Sequence, residues 1–218
     1  MPRSPTPPAG SQQPAGEGLR RDAAENRARL LAAAERVFAE RGTSVSLEDI
    51  ARAAGVGPAT LYRRFGNKDA LVREVLSAFF TRLIDLAHQA YAEPAATCLD
   101  VYLHTVGWGL AANRGFMHGM WGDLAPAPLV GELEELTTRL LAKAQEGGVS
   151  GEVTVGDIAA AVWALRGIIS TSGEIASDAW RRHVTYLLAG FRTPVDHAAT
   201  TLTSQQIAAA AAADRPAP

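Results

Sequence analysis

The stretch DIARAAGVGPATLYRRFGNKDAL, residues 49–71, decides the fold of the N-terminal part of this 218-residue chain. Its apolar residues recur at helical spacing, and the turn Gly55-Val56-Gly57 interrupts them after a short run. Ser46, followed three positions later by an acidic residue, predicts the start of one short helix, and Pro58 predicts the start of the next. Two short helices joined by a glycine-containing turn are typical of a helix-turn-helix.

The second of these helices has the surface that a recognition helix needs. A helix that reads the major groove is slim and carries small or polar residues at its N-terminal end. The residues on its outer faces are Pro58, Ala59, Thr60, Tyr62, Arg63 and Arg64. Taken by periodicity alone, an ordinary helical hairpin inside an all-α core is the alternative.

The rest of the chain also has helical periodicity. Asn67 is expected to cap a long helix over residues 68 to about 91, which Pro94 ends. Further helices are expected at about 95–113, 115–121, 128–146, 155–172 and 177–191. The sequence therefore predicts an all-α protein. We expect a disordered tail over 1–19, a three-helix domain over 20–68 and a larger helical domain over 69–192. Residues 193–218 are expected to form a low-complexity tail that has no apolar stripe with which to pack against the body.

The charge is unevenly distributed along the chain. Residues 20–68 carry ten basic and six acidic side chains, a net charge of +4, whereas residues 69–192 carry nine basic and fourteen acidic ones, a net charge of −5. This favours a polyanion as the partner of the N-terminal part, with a chance distribution as the alternative. The single cysteine, Cys98, excludes an internal disulfide and fits a reducing cytoplasm, and no apolar run is long enough to span a membrane.

Residues 49–71 resemble the DNA-binding domain of TetR/AcrR-family transcriptional regulators. The family pattern is D-I-A-x-x-A-G-V-S-x-x-T-L-Y-x-H-F-x-S-K-E-x-L. Its matches here are Asp49, Ile50, Ala51, Ala54, Gly55, Val56, Thr60, Leu61, Tyr62, Phe65, Lys68 and Leu71. Gly57 and Arg64 depart from it, where the family often has Ser and His. The resemblance covers about residues 27–76 and implies a homodimer that binds a near-palindromic double-stranded DNA operator and responds to a small-molecule effector.

The resemblance also implies roles for individual residues. Thr60 would contact a base edge or a phosphate, and Arg63 would reach bases or the backbone. The hydroxyl of Tyr62 would bind a phosphate. Lys68 and Ser46 stand at helix N-termini, which favour anions. Alternatives remain at three positions: Tyr62 as a packing residue, Ser46 as a helix cap alone, and Arg64 as a surface ion-pair partner.

The larger domain is implied to hold an inducer pocket and to form a four-helix bundle with a second subunit through its last two helices. Bulky residues lie there among glycines, a pattern that suits a cavity between helices, although plain core packing is the alternative. The candidate ligand-binding residues are His104, Trp108, Phe116, Met117, Met120, Trp121, Trp163 and Arg166. We expect a mostly apolar ligand, with Arg166 pairing with a ligand anion, with Asp123 or with Glu174.

No catalytic, metal or cofactor motif is visible. The sequence has no nucleophile elbow, no HExxH and no glycine-rich phosphate loop, and its five histidines lack a shared ligand spacing. We therefore expect a regulator, in the first place a repressor that a small apolar molecule releases from its operator. An enzyme or a helical scaffold without DNA binding is the alternative.

Overall fold

The computed structural model describes residues 15–42, 44–114, 124–194 and 200–213, and all regular structure within them is helical. The all-α prediction is thereby confirmed. The expected short helix at 115–121 lies outside the described residues. The helices are α1 (Ala15–Arg41), α2 (Leu47–Ala53), α3 (Pro58–Phe65), α4 (Lys68–Ala92), α5 (Cys98–Ala112), α6 (Ala127–Glu146), α7 (Val155–Ser172), α8 (Ala179–Phe191) and α9 (Ser204–Ala213).

Local chemistry sets the boundaries of α2, α3 and α4. The Ser46 hydroxyl accepts a hydrogen bond of 3.1 Å from the backbone N–H of Asp49 and caps α2. Gly57 precedes α3 without a side-chain cap, so the start of α3 depends on Pro58 at its first position. Asn67 caps α4 by accepting a 2.8 Å bond from the N–H of Ala70. Each of these starts agrees with the sequence prediction.

Helix α4 connects the N-terminal helices to the body. It packs against α1 and α3 and also against α5 and α6. Its buried residues belong to one continuous core that extends from Leu30 in α1 to Leu188 in α8. Two ion pairs, Arg27–Glu74 and Arg82–Glu35, join α1 to α4 as well. Helix α4 therefore contacts both the N-terminal helices and the body.

Three helix starts differ from the sequence expectation. Helix α1 already begins at Ala15, inside the expected tail, because Gly16 and Gly18 obscure the helical pattern there. Helix α5 begins at Cys98 rather than near residue 95, since the carbonyl of Pro94 accepts 2.9 Å bonds from the N–H groups of Thr97 and Cys98 in a preceding turn. Helix α8 begins at Ala179 rather than at residue 177.

The C-terminal end of the chain corrects a further expectation. Helix α9 packs against α7, whereas the sequence showed no apolar stripe that could dock. Just before α9 begins, the backbone of Leu202 approaches Gly156 in α7. A contact made by the backbone over a glycine does not require apolar side chains at regular spacing. The sequence of the tail therefore gave no sign of this contact.

Candidate nucleic-acid interface

Helices α2 and α3 form a helix-turn-helix with one buried and one open face. Leu61 and Phe65 of α3 are buried, as are Leu47, Ile50 and Ala51 of α2. Gly55 in the turn has a φ of +68°, a left-handed conformation that other residues rarely adopt. The exposed residues of α3 are Pro58, Ala59, Tyr62, Arg63 and Arg64, with Thr60 half-buried. The structure thus brings the predicted α3 contact residues onto one surface with a slim N-terminal end.

Tyr62 is held by a contact that the sequence did not reveal. Its hydroxyl donates a 3.2 Å hydrogen bond to the Glu48 carboxylate on α2. This bond and the negative charge of Glu48 raise the pKa of Tyr62 above its usual value. The phenol therefore remains protonated as a donor. Sequence reasoning assigned this hydroxyl to a phosphate and missed Glu48, because the two residues lie on different helices.

Ser46 is engaged in a small polar cluster around Asp49. The Ser46 hydroxyl donates a 2.9 Å bond to the Asp49 carboxylate, which also binds Arg52 at 2.8 Å and faces Arg41 at 3.8 Å. The hydrogen bond from Ser46, followed by that from Arg52, lowers the pKa of Asp49. This geometry favours the helix-cap role of Ser46 over direct phosphate binding.

Two cations near α3 are available to an anion. Arg63 is exposed and Lys68 is half-buried at the first residue of α4. Within the described residues neither is joined to a carboxylate by an ion pair. The N–H of Ala70 is taken by the Asn67 side chain. The N–H groups of residues 68 and 69 lie at the same helix end as Lys68, so they and its ammonium group can act on one phosphate.

A cavity of about 430 Å³ lies in the body between α4, α5, α6 and α7. Most of its surface is apolar. Its lining residues are Phe80, Leu83, Tyr102, Val106, Leu110, Val130, Gly131, Leu133, Glu134, Glu135, Thr137, Thr138, Val155, Ile158, Ala159, Val162, Trp163 and Ile207.

The buried polar groups of this cavity were not found from the sequence. The hydroxyls of Tyr102 and Thr137 lie 3.0 Å apart, and Thr137 donates a 2.7 Å bond to the carbonyl of Leu133. Thr137 must then accept from Tyr102. Burial raises the pKa of Tyr102, so its hydroxyl stays neutral. A Tyr on one helix and a Thr on another carry no shared sequence signal.

Only one of the described candidate ligand-binding residues lines the cavity. Trp163 does, but Trp108 is 56% exposed and packs edge-on against Trp180 on another face of α5. His104 bonds the carbonyl of Asp100 at 2.8 Å, and Arg166 is half-buried elsewhere on α7.

The position of Trp108 and His104 away from the cavity has a geometric reason. Val106 and Leu110 turn into the cavity, and a residue two positions from Val106 points to the opposite side of the helix. The other four candidates, Phe116, Met117, Met120 and Trp121, lie outside the described residues.

Helices α7 and α8 each have one buried face and one open face, and only the open face could meet a second subunit. Trp180, Val184 and Leu188 of α8 are buried within the subunit, so they cannot also face a partner. The opposite faces of both helices are open. A Cβ added at Gly167 of α7 or at Gly190 of α8 would meet nothing within 4 Å. The exposed small residues around them are Ala160 and Ala164 of α7 and Ala189 of α8.

The described residues include neither a membrane-spanning helix nor a cluster of metal ligands. No helix among them combines the length and apolarity needed to cross a bilayer. Nor do three or more of their His, Cys, Asp or Glu side chains come together as metal ligands would.

The N-terminal part of the chain is similar to known transcriptional regulators. Residues 30–75 match the family model "Bacterial regulatory proteins, tetR family". An HTH-type transcriptional repressor of Mycobacterium tuberculosis is 41% identical over 75 residues, which are 34% of this chain and 40% of that protein. The HTH-type transcriptional regulator TtgR of Pseudomonas putida is 38% identical over 73 residues, 33% of this chain and 35% of the relative. The matches thus span about two fifths or less of these curated relatives.

Solved structures extend the likeness to the body. A TetR transcription regulatory protein from Mycobacterium vanbaalenii is 33% identical, with a TM-score of 0.60 over 80% of this chain and 99% of that one. The TetR transcriptional regulator SCO0520 of Streptomyces coelicolor is 31% identical, with a TM-score of 0.57 over 78% of this chain and 99% of its own. These relatives are regulators, in agreement with the expectation that the chain is not an enzyme. With its helix-turn-helix and larger helical body, the chain belongs to the tetR family of bacterial regulatory proteins.

Proposed function

We propose that this protein is a cytoplasmic, homodimeric transcriptional repressor that a small, mostly apolar molecule releases from its DNA operator. The observation that carries the DNA-binding part is the exposed face of α3, with its slim N-terminal end and with Arg63 and Lys68 beside it. Repression rather than activation is favoured by the printed name of the relative from Mycobacterium tuberculosis.

In this proposal α3 enters the major groove. Pro58, Ala59 and Thr60 face the base edges, because a helix meets the bases through its N-terminal residues. Arg63 contacts bases or backbone, and Lys68 together with the first turn of α4 binds a phosphate. Tyr62 joins them when its hydroxyl leaves Glu48.

The dimer would form through the open faces of α7 and α8. Ala164 and Gly167 on α7, with Ala189 and Gly190 on α8, let two copies of the helix pair approach closely. A near-palindromic operator requires this pairing, since two recognition helices must reach half-sites about one turn of DNA apart.

The effector would bind in the cavity between α4 and α7. Glu134 and Glu135 line it, and no Lys, Arg or His is among the described residues that line it. A carboxylate ligand is therefore disfavoured, and Arg166 is not among the described lining residues. We infer a neutral or cationic lipophilic compound with one polar group that bonds the Tyr102–Thr137 hydroxyls.

Helix α4 would couple effector binding in the cavity to release of the DNA. Phe80 and Leu83 line the cavity, and the same helix begins at Lys68 beside α3. A ligand that binds better when α4 is displaced favours the form in which the two recognition helices no longer match the half-sites.

The test is a selection of bound fragments from random double-stranded DNA, followed by anisotropy titration of the enriched sequence. We expect an inverted repeat bound by a dimer, loss of sequence preference in Arg63→Ala, and release by a lipophilic neutral or cationic compound. Gln205→Ala, an exposed change on α9, is the control. Equal binding of all sequences by the wild-type protein would refute the proposal.

A further inference from the structure

Residues 200–213 close one side of the cavity with a side chain of their own. Ile207 of α9 lies among the lining residues, which otherwise come from α4, α5, α6 and α7. We propose that this C-terminal segment is a movable wall of the effector site and that Ile207 determines how large a ligand fits and how long it stays. The inference rests on the proposed function, since it assigns a part of that same ligand site.

The segment is attached at the N-terminal end of α7 by two close contacts. The hydroxyl oxygens of Thr154 and Thr201 lie 2.6 Å apart. The carbonyl oxygen of Leu202 lies 2.3 Å from where a Cβ on Gly156 would stand. Only a glycine at position 156 leaves room for this backbone approach, and Gly156 is buried beneath it.

A capping pair formed by Thr203 and Gln206 marks the start of α9 next to the cavity. The Thr203 hydroxyl accepts a 3.2 Å bond from the N–H of Gln206, and the Gln206 side chain accepts a 2.9 Å bond from the N–H of Thr203. This reciprocal pair starts the helix at a defined residue. The N–H of Ile207 follows with a 2.9 Å bond to the carbonyl of Thr203, which places Ile207 in the first turn.

The attachment is small enough to open without unfolding the body. Helix α9 has ten residues, most of them alanine, and a helix of that length is marginal in water on its own. Its described contacts are with α7, whereas the core of the molecule continues beneath it without residues of α9. Removal of the segment therefore exposes the cavity but leaves the α4–α8 core complete.

A reversible covalent lock tests whether this wall controls the site. The double variant Thr154→Cys/Thr201→Cys places two thiols where two hydroxyl oxygens now lie 2.6 Å apart, close to the S–S bond length of about 2.05 Å. Cys98 can stay in place, since it is buried and burial raises the pKa of its thiol, which keeps it a poor competitor. The oxidised and reduced forms of this one protein differ only in the lock.

The probe is N-phenyl-1-naphthylamine, a neutral lipophilic dye, and stopped-flow fluorescence follows its release. Energy transfer from Trp163 identifies dye in the cavity, with Trp163→Phe as the reference. We expect release from the oxidised lock about tenfold slower than from the reduced form. Gly156→Ala should speed release, with Gly151→Ala, at an open loop position, as its matched control. Ile207→Ala should also speed release and admit bulkier dyes, whereas exposed Gln205→Ala should behave as wild type.

The outcomes separate this inference from the proposed function. One outcome is that the dye binds in the cavity while its release rate is unchanged by the disulfide, by Gly156→Ala and by Ile207→Ala. That result would refute the role of residues 200–213 as a movable wall but would leave the proposed ligand site intact. If the disulfide does not form under oxidation, the docking of residues 200–213 against α7 is refuted as well. If no dye reaches the cavity in any form, the wall and the ligand response fail together, while operator binding by anisotropy still decides the DNA-binding part.

Discussion

The Tyr62 hydroxyl on α3 donates its hydrogen bond to Glu48 on α2, at 3.2 Å, on the surface assigned to DNA. In the free protein this carboxylate thus occupies the position that, in the proposed complex, a phosphate would take against the phenol. The contact links α2 to α3. In the same proposal, its negative charge lies close to the DNA backbone.

Glu48→Gln should strengthen DNA binding. The neutral amide removes a charge that repels phosphates and holds Tyr62 less firmly, so the operator affinity should rise about two- to fivefold at low salt. Fluorescence anisotropy with the selected operator measures this. Glu146→Gln removes an equal charge from the far end of α6 and should change nothing. Weaker binding by Glu48→Gln would show that the Glu48–Tyr62 bond is retained in the complex.

Lys68→Ala and Arg63→Ala should change DNA binding in different ways. Loss of a phosphate contact at Lys68 should weaken binding to all sequences alike and reduce the slope of log K against log salt by about one. A change at Arg63 or Thr60 should instead alter the preferred sequence. Arg181→Ala on α8 is the control, since it removes a cation from the body. An unchanged salt slope in Lys68→Ala would exclude its phosphate role.

Ala164→Glu should split the dimer. Ala164 is exposed on the open face of α7, and two carboxylates brought together across a close helix contact repel and lose their hydration. Sedimentation should show a monomer at micromolar concentration, with loss of operator binding. Ala142→Glu on the exposed side of α6 should remain dimeric. A charge at Leu187 of α8 would be a less specific test, because Leu187 is half-buried within its own subunit and Leu187→Glu would also disturb the fold.

Gly107→Ala should destabilise the protein. A Cβ there would lie 2.2 Å from the ring of Trp180, which is 1% exposed and has no free space to move into. We expect a loss of about 1–3 kcal/mol, the usual cost of overpacking. Gly131→Ala, where a Cβ meets nothing within 4 Å, should instead gain about 0.5–1 kcal/mol through helix propensity. Urea unfolding at one fixed protein concentration compares the two, and equal stabilities would contradict the tight α5–α8 contact.

Asp49→Asn should cost stability near neutral pH but not in acid. The bonds from Ser46 and Arg52 hold the pKa of Asp49 below its ordinary value of 3.8 in the folded protein. Their contribution is therefore complete above about pH 3.8 and disappears as the pH falls through the lower, folded-state value. The difference in unfolding free energy between wild type and variant should be constant from pH 7 to 5 and shrink below pH 4. A difference that grows with acidification would reverse this assignment. Asp85→Asn, an exposed change on α4, is the control.

The sequence by itself determined the all-helical class and the position of the helix-turn-helix. Ser46, Pro58 and Asn67 mark helix starts, and Gly55 and Gly66 mark turns, because caps and positive φ angles depend on neighbours a few residues away. The bounds of α7 also agree with the predicted range of 155–172, and a local capping box of Thr154 and Asp157 marks its start.

Tertiary structure alone decided which helix faces meet. Periodicity places Val106 and Trp108 on different sides of α5 but cannot say that the cavity lies on the side of Val106. The Tyr102–Thr137 pair, the Glu48–Tyr62 bond and the approach of Leu202 to Gly156 each join distant parts of the chain. Such contacts depend on how whole helices pack, and packing is a property of several segments together that no single segment encodes.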